Sequence, residues 1–301
     1  MKMKYHRTSL LLFLCAILMS AQGLAADKTD YKKHYSKNVP INPDALLEID
    51  ADFSSVEIMN WDKNEIDVYI EIIVEARSED KAEKIFDKIT AEITDSKDRV
   101  SIEVFKEDDK GMNNTTGWQI NMRIKAPKTI SLDANIIFGD LDIARIDGKA
   151  DIDLDFGDLD IDKLSNANSS IDIVYGDADL GHVRAESINL GFGDMDIQNL
   201  DSDCQFTMSY GDADIHKVTK QCQKLDVELS FGDLDLVLSS DMRADISAES
   251  SFGDVSFSGG IEKTKKESGM LSEELEGKLN GGGGAQISLY SSYGEIDVHV
   301  E

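Results

Sequence analysis

The sequence predicts an all-β fold, a single-chain parallel β-solenoid with short coils of about 18 residues, and three observations carry that expectation. First, an aromatic–Gly–Asp–apolar–Asp–aliphatic motif recurs at Phe138-Gly139, Phe156-Gly157, Tyr175-Gly176, Phe192-Gly193, Tyr210-Gly211, Phe231-Gly232, Phe252-Gly253 and Tyr293-Gly294, with Glu295 replacing the first Asp in the last. Second, successive motif glycines from Gly139 to Gly253 lie 18, 19, 17, 18, 21 and 21 residues apart, a period that signals stacked repeats. Third, apolar residues hold fixed offsets from each aromatic, as an inward-facing strand requires.

Counting from the aromatic as zero, positions −4 and −2 are apolar (Ile152 and Leu154, Ile171 and Ile173, Ile188 and Leu190). After the aromatic the phase breaks: the next apolar residues sit at +3 and +5, so Gly-Asp must turn a corner between two strands. Glycine tolerates positive φ, and Asp can bond to backbone within a turn. A further apolar residue stands at +8 in five consecutive coils, at Ile146, Leu164, Val183, Leu200 and Val218. Alternation makes the aromatic a sixth inward position, and truncating Phe192 would then cost about 3–5 kcal/mol as a core deletion. Ala178 and Ala213 follow the two internal tyrosines where larger residues follow phenylalanine, which suggests volume exchange within one packed layer.

The remaining elements follow in chain order. Residues 1–25 carry Lys2, Lys4 and Arg7, an apolar run and Gly23-Leu24-Ala25, the pattern of a secretory signal peptide. Cys15 follows Leu14 inside the apolar run and reads as part of it. Residues 26–45 are polar and form an expected flexible leader. Residues 46–130 hold a disguised first coil around Phe53, with Ser54-Ser55 in place of Gly-Asp, then a β-rich excursion covering the open end of the stack. Its elements are an alternating strand at 66–72, a helix at 78–95 with Ser78 as N-cap and Ala82, Ile85, Phe86, Ile89 and Ile93 on one face, and strands at 100–105 and 118–124 separated by a polar turn. Residues 131–257 are the repeat solenoid, 258–285 a mobile loop containing four consecutive glycines, and 286–301 the terminal coil.

The chain carries a net charge of −28. Removing the signal takes away three positive charges and no acids, leaving −31, which argues against nucleic acid as a partner. No later stretch approaches the apolar length of a membrane-spanning helix. Cys204 and Cys222 each lie eleven residues past a motif glycine. An exported chain meets an oxidising compartment, and this shared offset predicts a disulfide between adjacent coils.

The acidic columns are the candidate site. Asp142, Asp160, Asp179, Asp196 and Asp214 should point outward from one strand position, and Asp177, Asp194 and Asp212 belong to a corner column. Unit charges about 4.8 Å apart repel by about 0.9 kcal/mol in bulk water. Loosely bound divalent cations, or Ca²⁺ ligation by stacked carboxylates, are one consequence. The alternative is that corner Asp residues hold turns and strand Asp residues keep the surface soluble. The pattern repeats in every coil and singles out no catalytic residue; no cofactor is expected. His182 and His216, two coils apart, read as surface residues.

The signal peptide, the degenerate coil ending in Trp61, the strand-and-helix excursion, the repeated motif and the glycine run before Tyr-Gly-Glu-Ile-Asp-Val together resemble the bacterial DUF4097 family, whose members carry the label "putative adhesin". The similarity spans residues 46–301. It implies an envelope β-solenoid with no established catalytic residues. The expectation is therefore a non-enzymatic, exported protein, periplasmic or at the cell surface. It would act adhesin-like or structurally on an envelope or surface partner, protein or glycan, with envelope-stress sensing of cations or cationic peptides as the alternative. A polysaccharide-acting β-helix enzyme is a minor alternative.

Overall fold

The computed structural model describes residues 28–106 and 117–301. The signal-peptide reading and most of the polar turn after Lys106 lie outside the described residues. Two long sheets run side by side, one of 12 and one of 13 strands among the described residues, and each coil contributes one strand to each sheet across the corner. Neighbouring coils pair in parallel and in register: Ile152 lies opposite Ile171, Leu154 opposite Ile173, and Phe156 opposite Tyr175. On the other sheet Leu159, Ile161 and Leu164 lie opposite Ala178, Leu180 and Val183. The inward positions at −4, −2, +3, +5 and +8 are buried as the spacing requires, and the sixth is −6, for example Leu132, Ala150, Cys204 and Leu225.

The aromatic is not the sixth inward residue. Phe138, Phe156, Tyr175, Phe192, Tyr210, Phe231, Phe252 and Tyr293 are between 38% and 46% exposed. The corner begins before the aromatic: Asp155 and Phe156, like Val174 and Tyr175, are consecutive exposed residues, so the alternation has already broken when the ring is reached. The volume exchange with position +3 fails for the same reason, since Ala178 and Ala213 are buried and the rings opposite them in sequence are not. Inside the Tyr210 coil the bulk comes instead from Phe206 and Met208, both 1% exposed.

At the N-terminal end the described part of the expected leader is a strand and not a flexible segment. Thr29–Pro40 forms a strand pairing antiparallel with Glu65–Ala76. Tyr31, Lys33, Tyr35, Lys37 and Val39 alternate on its more buried side, where lysine stems cover apolar surface. Lys33 Nζ reaches 5.9 Å from the Phe86 ring. The helix is shorter than expected, Glu79–Phe86, and Ser78 makes no side-chain cap. Ile89–Asp95 is a strand antiparallel to Arg99–Lys106, because Ile89, Thr90, Ile93 and Thr94 are β-branched and favour extended backbone. Gly117–Ala126 joins Glu65–Ala76 to the first coil's second strand, Ser54–Asn60, so the excursion covers this end of the stack.

The C-terminal end departs from sequence order. The terminal coil, Ala285–Tyr293 and Ile296–Val300, lies between the Phe231 and Phe252 coils, pairing in parallel with both. The stretch expected to be a mobile loop is a hairpin, Glu262–Ser268 with Glu273–Leu279, whose second strand closes the edge of Ala244–Ser250 antiparallel. Covering that edge removes a template for aggregation, and the glycine run then returns the chain to the slot beside the Phe231 coil.

The disulfide expectation is also corrected: Cys204 and Cys222 are free, buried thiols. Val218 remains in register with Leu200, but Cys204 lies opposite Leu225. The three extra residues of this coil therefore fall between Val218 and Leu225, and they carry Cys222 into the turn, where its N–H donates to the Thr219 carbonyl. Burial pushes both thiols up to about 12, so both are protonated at neutral pH.

Candidate functional site: the aromatic and acid corner

The exposed rings form one continuous external ladder. Successive centroids from Phe53 through Phe138, Phe156, Tyr175, Phe192, Tyr210, Phe231 and Tyr293 to Phe252 are 4.6–4.9 Å apart, with interplanar angles of 13° or less. The spacing is that of neighbouring strands: each coil places its ring in register over the next. Because Tyr293 enters between Phe231 and Phe252, Phe and Tyr alternate in space from Phe156 to Phe252, an order the sequence does not display. At the first end Trp118 stands edge-on to Phe53, at 4.9 Å and 71°, and a cavity of about 500 Å³ opens among Phe53, Trp118, Gln119 and Phe138.

Glycine and aspartate build the corner that presents these rings. Gly193 has φ +143° and an added Cβ would stand 2.0 Å from the carbonyl oxygen of Gly176; the other motif glycines meet the preceding layer at 1.7–2.1 Å. Only glycine allows coils to approach this closely. In the first coil Phe53 itself takes φ 54°, which explains how Ser54-Ser55 can replace Gly-Asp. The N–H groups on either side of the corner Asp are satisfied by the next coil: Gly157 donates to the Tyr175 carbonyl at 3.0 Å, and Leu159 to the Asp177 carbonyl at 3.0 Å.

The corner Asp column completes the pattern. Asp177 N–H donates to Asp158 Oδ1 at 2.9 Å, Asp194 N–H to Asp177 Oδ1 at 2.9 Å, and Asp212 N–H to Asp194 Oδ1 at 3.0 Å. The series continues from Asp233 to Asp212 and from Glu295 to Asp233. One oxygen of each carboxylate thus holds the next turn, and a charge-assisted bond of this kind offsets part of the repulsion along the column.

The strand column points outward at +4, with Asp142, Asp160, Asp179, Asp196 and Asp214 each opposite its neighbour. Burial foremost, and then adjacent carboxylates, raise Asp142, Asp160, Asp179 and Asp214 above the ordinary Asp value. Asp196 accepts from His216 at 2.8 Å, and that hydrogen bond, the largest influence, raises the imidazole. Among the described residues no lysine or arginine pairs with either column, and no three His, Cys, Asp or Glu side chains converge as a metal cage. The columns are rows of acids with one oxygen per corner committed to backbone. Alternation along the strand points the ring ladder inward, whereas the rings stand outside; the sequence signal for this site is the aromatic that always precedes the corner glycine.

Among the described residues no helix is long and apolar enough to cross a membrane. Among curated proteins none matches the sequence. Solved structures similar to this chain include a "putative adhesin" from Bacteroides fragilis, with 11% identity, TM-score 0.36, and coverage of 89% of this chain and 97% of that one. A "putative adhesin" from Parabacteroides merdae shows 12% identity and TM-score 0.34 over 89% and 96%. A "putative cell adhesion protein" from Clostridium sporogenes shows 13% identity and TM-score 0.28 over 90% and 100%. The family profile described as Toastrack DUF4097 matches residues 46–299, nearly the whole of the solenoid with its caps, and the chain belongs to that family.

Proposed function

We propose that this protein is an exported, non-catalytic β-solenoid that works by surface contact, adhesin-like or as an envelope scaffold, and that its contact face is the aromatic and acid corner. The observation that carries this reading is the external ladder of nine rings from Phe53 to Phe252. A soluble protein rarely leaves a contiguous apolar strip on its surface unless something docks there. Self-stacking accounts for the ring faces but leaves the outer edges in water. The carboxylate columns beside the strip, with which no lysine or arginine pairs among the described residues, favour cationic partners and add specificity more than affinity.

The test compares wild type with a ladder variant, Phe156→Ser with Phe192→Ser, both immobilised and exposed to envelope extracts and to whole-cell glycans. The reading expects a component retained by wild type and lost from the variant at unchanged far-UV circular dichroism. Equal retention by both proteins would place contact elsewhere.

The second reading, sensing of cationic peptides during envelope stress, draws on the strand-column carboxylates, which burial first and neighbouring carboxylates second raise above the ordinary Asp value.

A further inference from the structure

We infer that the ladder and its Trp118 pocket form a docking rail for a basic, proline-rich peptide in the polyproline II conformation. This deepens the contact reading above and rests on it.

The argument begins with spacing. Steps of 4.7 and 4.8 Å set Tyr175 and Tyr210 about 9.5 Å apart, and steps of 4.8 and 4.7 Å do the same for Tyr210 and Tyr293. These tyrosines are 42–46% exposed, so the rail presents a phenol at every second coil. A polyproline II helix has three residues per turn and a rise of about 3.1 Å, a repeat of about 9.3 Å. It stays in step with the tyrosines to within about 0.2 Å per turn. An extended strand returns to the same face every ~6.8 Å and an α-helix every ~5.4 Å; neither matches one coil or two. Polyproline II helices leave their backbone carbonyls free to accept hydrogen bonds, and they dock on aromatic-lined surfaces with little entropy to lose.

Charge supplies the second requirement. Every tyrosine coil is followed by two acids, Asp177 and Asp179, Asp212 and Asp214, and Glu295 and Asp297. None of these pairs with a lysine or arginine among the described residues, and the corner Asp residues commit only Oδ1 to backbone. A ligand with Arg or Lys at every third position would therefore meet a carboxylate pair once per turn. The pocket supplies the third. Trp118, inclined at 71° to Phe53, heads the rail, and the two rings meet in a corner that accepts a flat, apolar proline ring.

The test uses a fluorescent (Pro-Pro-Arg)₄ peptide, about 37 Å long by the same rise, titrated by anisotropy into the mature full chain at low and moderate salt. Controls are (Pro-Pro-Gln)₄, an Ala/Arg helical peptide of equal charge, and a neutral β-linked oligosaccharide. We expect saturable binding of the arginine peptide and at least tenfold weaker binding of both peptide controls. The variant Tyr175→Phe/Tyr210→Phe/Tyr293→Phe, which keeps the stack, should bind several-fold more weakly, and Asp179→Asn/Asp214→Asn should lose much of the salt dependence.

Equal affinity for the helical peptide would reduce the site to bulk charge and overturn the inference. So would displacement of the arginine peptide by the oligosaccharide at matched concentration, which would identify a glycan rail. If the arginine peptide fails to bind while the serine ladder variant still loses its envelope component, the peptide assignment falls and the contact reading stands.

Discussion

Replacing Gly193 by Ala should damage this protein at least as much as deleting the ring of its neighbour Phe192, an inversion that follows from which side of the corner each occupies. At Gly193 the backbone has φ +143°, and an added Cβ would lie 2.0 Å from the Gly176 oxygen, 2.6 Å from its carbon and 3.0 Å from Asp177 Oδ1. A residue forced into that region costs about 1–3 kcal/mol. Relieving an overlap with rigid backbone costs a similar amount as overpacking. The expected loss is about 2–6 kcal/mol. Phe192 is half-exposed and stacks on Tyr175 at 4.7 Å and Tyr210 at 4.8 Å; two aromatic contacts at about 0.5–1.5 kcal/mol each, added to about 1–2 kcal/mol for the covered part of the ring, give about 2–5 kcal/mol for Phe192→Ala. Urea unfolding followed by far-UV circular dichroism, with midpoints converted through the common slope, measures both. A Phe192→Ala loss that exceeds that of Gly193→Ala would refute the outward placement of the ladder.

Three further expectations follow from the same geometry. Acidification from pH 8 to pH 5 should raise the melting temperature. His216, raised by Asp196, contributes stability that is lost as pH rises through its folded value, and the raised Asp142, Asp160, Asp179 and Asp214 make the native state bind more protons than the unfolded chain. The opposing contributions of Glu48 and Asp147, whose folded values are lowered, are lost only at lower pH; a melting temperature that falls steadily over the range would contradict this, and His216→Asn should flatten its upper part. Alkylation without reductant should label neither Cys204 nor Cys222 in the native protein and both after unfolding, whereas continued protection in denaturant would reveal a bond. Deleting residues 286–301 should cost more than removing an end coil, because it parts the Phe231 and Phe252 coils and leaves two facing edges; retained cooperativity with a small shift in midpoint would argue against the inserted order.

The solenoid was legible because burial leaves a periodic trace: Ile152, Leu154, Leu159, Ile161 and Leu164 mark one coil's inner surface by spacing alone. The glycine at each corner was legible for a related reason, since only a backbone constraint fixes that residue at such regular intervals. The side of the ring was not. Phe156 stands in phase with Leu154, and nothing in hydropathy says that the bend starts one residue earlier and that neighbouring rings shield one another. Strand order was also hidden, because identical motifs at Phe252 and Tyr293 can stack either way. The leader strand was masked by Lys33 and Lys37 at half-buried positions, where stems pack and charges reach water. Ile89 and Ile93 fit a helix face by spacing, and their β-branched character decided for a strand.

The most direct measurement of whether this corner is the working face is hydroxyl-radical footprinting by mass spectrometry, on the protein alone and on the protein bound to the envelope component that wild type retains. Phe156, Tyr175, Phe192 and Tyr210 should oxidise readily in the free protein, as rings about two-fifths exposed must, and should be protected in the bound form, while buried Phe206 stays unreactive in both. Rings that resist oxidation in the free protein, or protection that falls elsewhere and spares the ladder, would contradict the account.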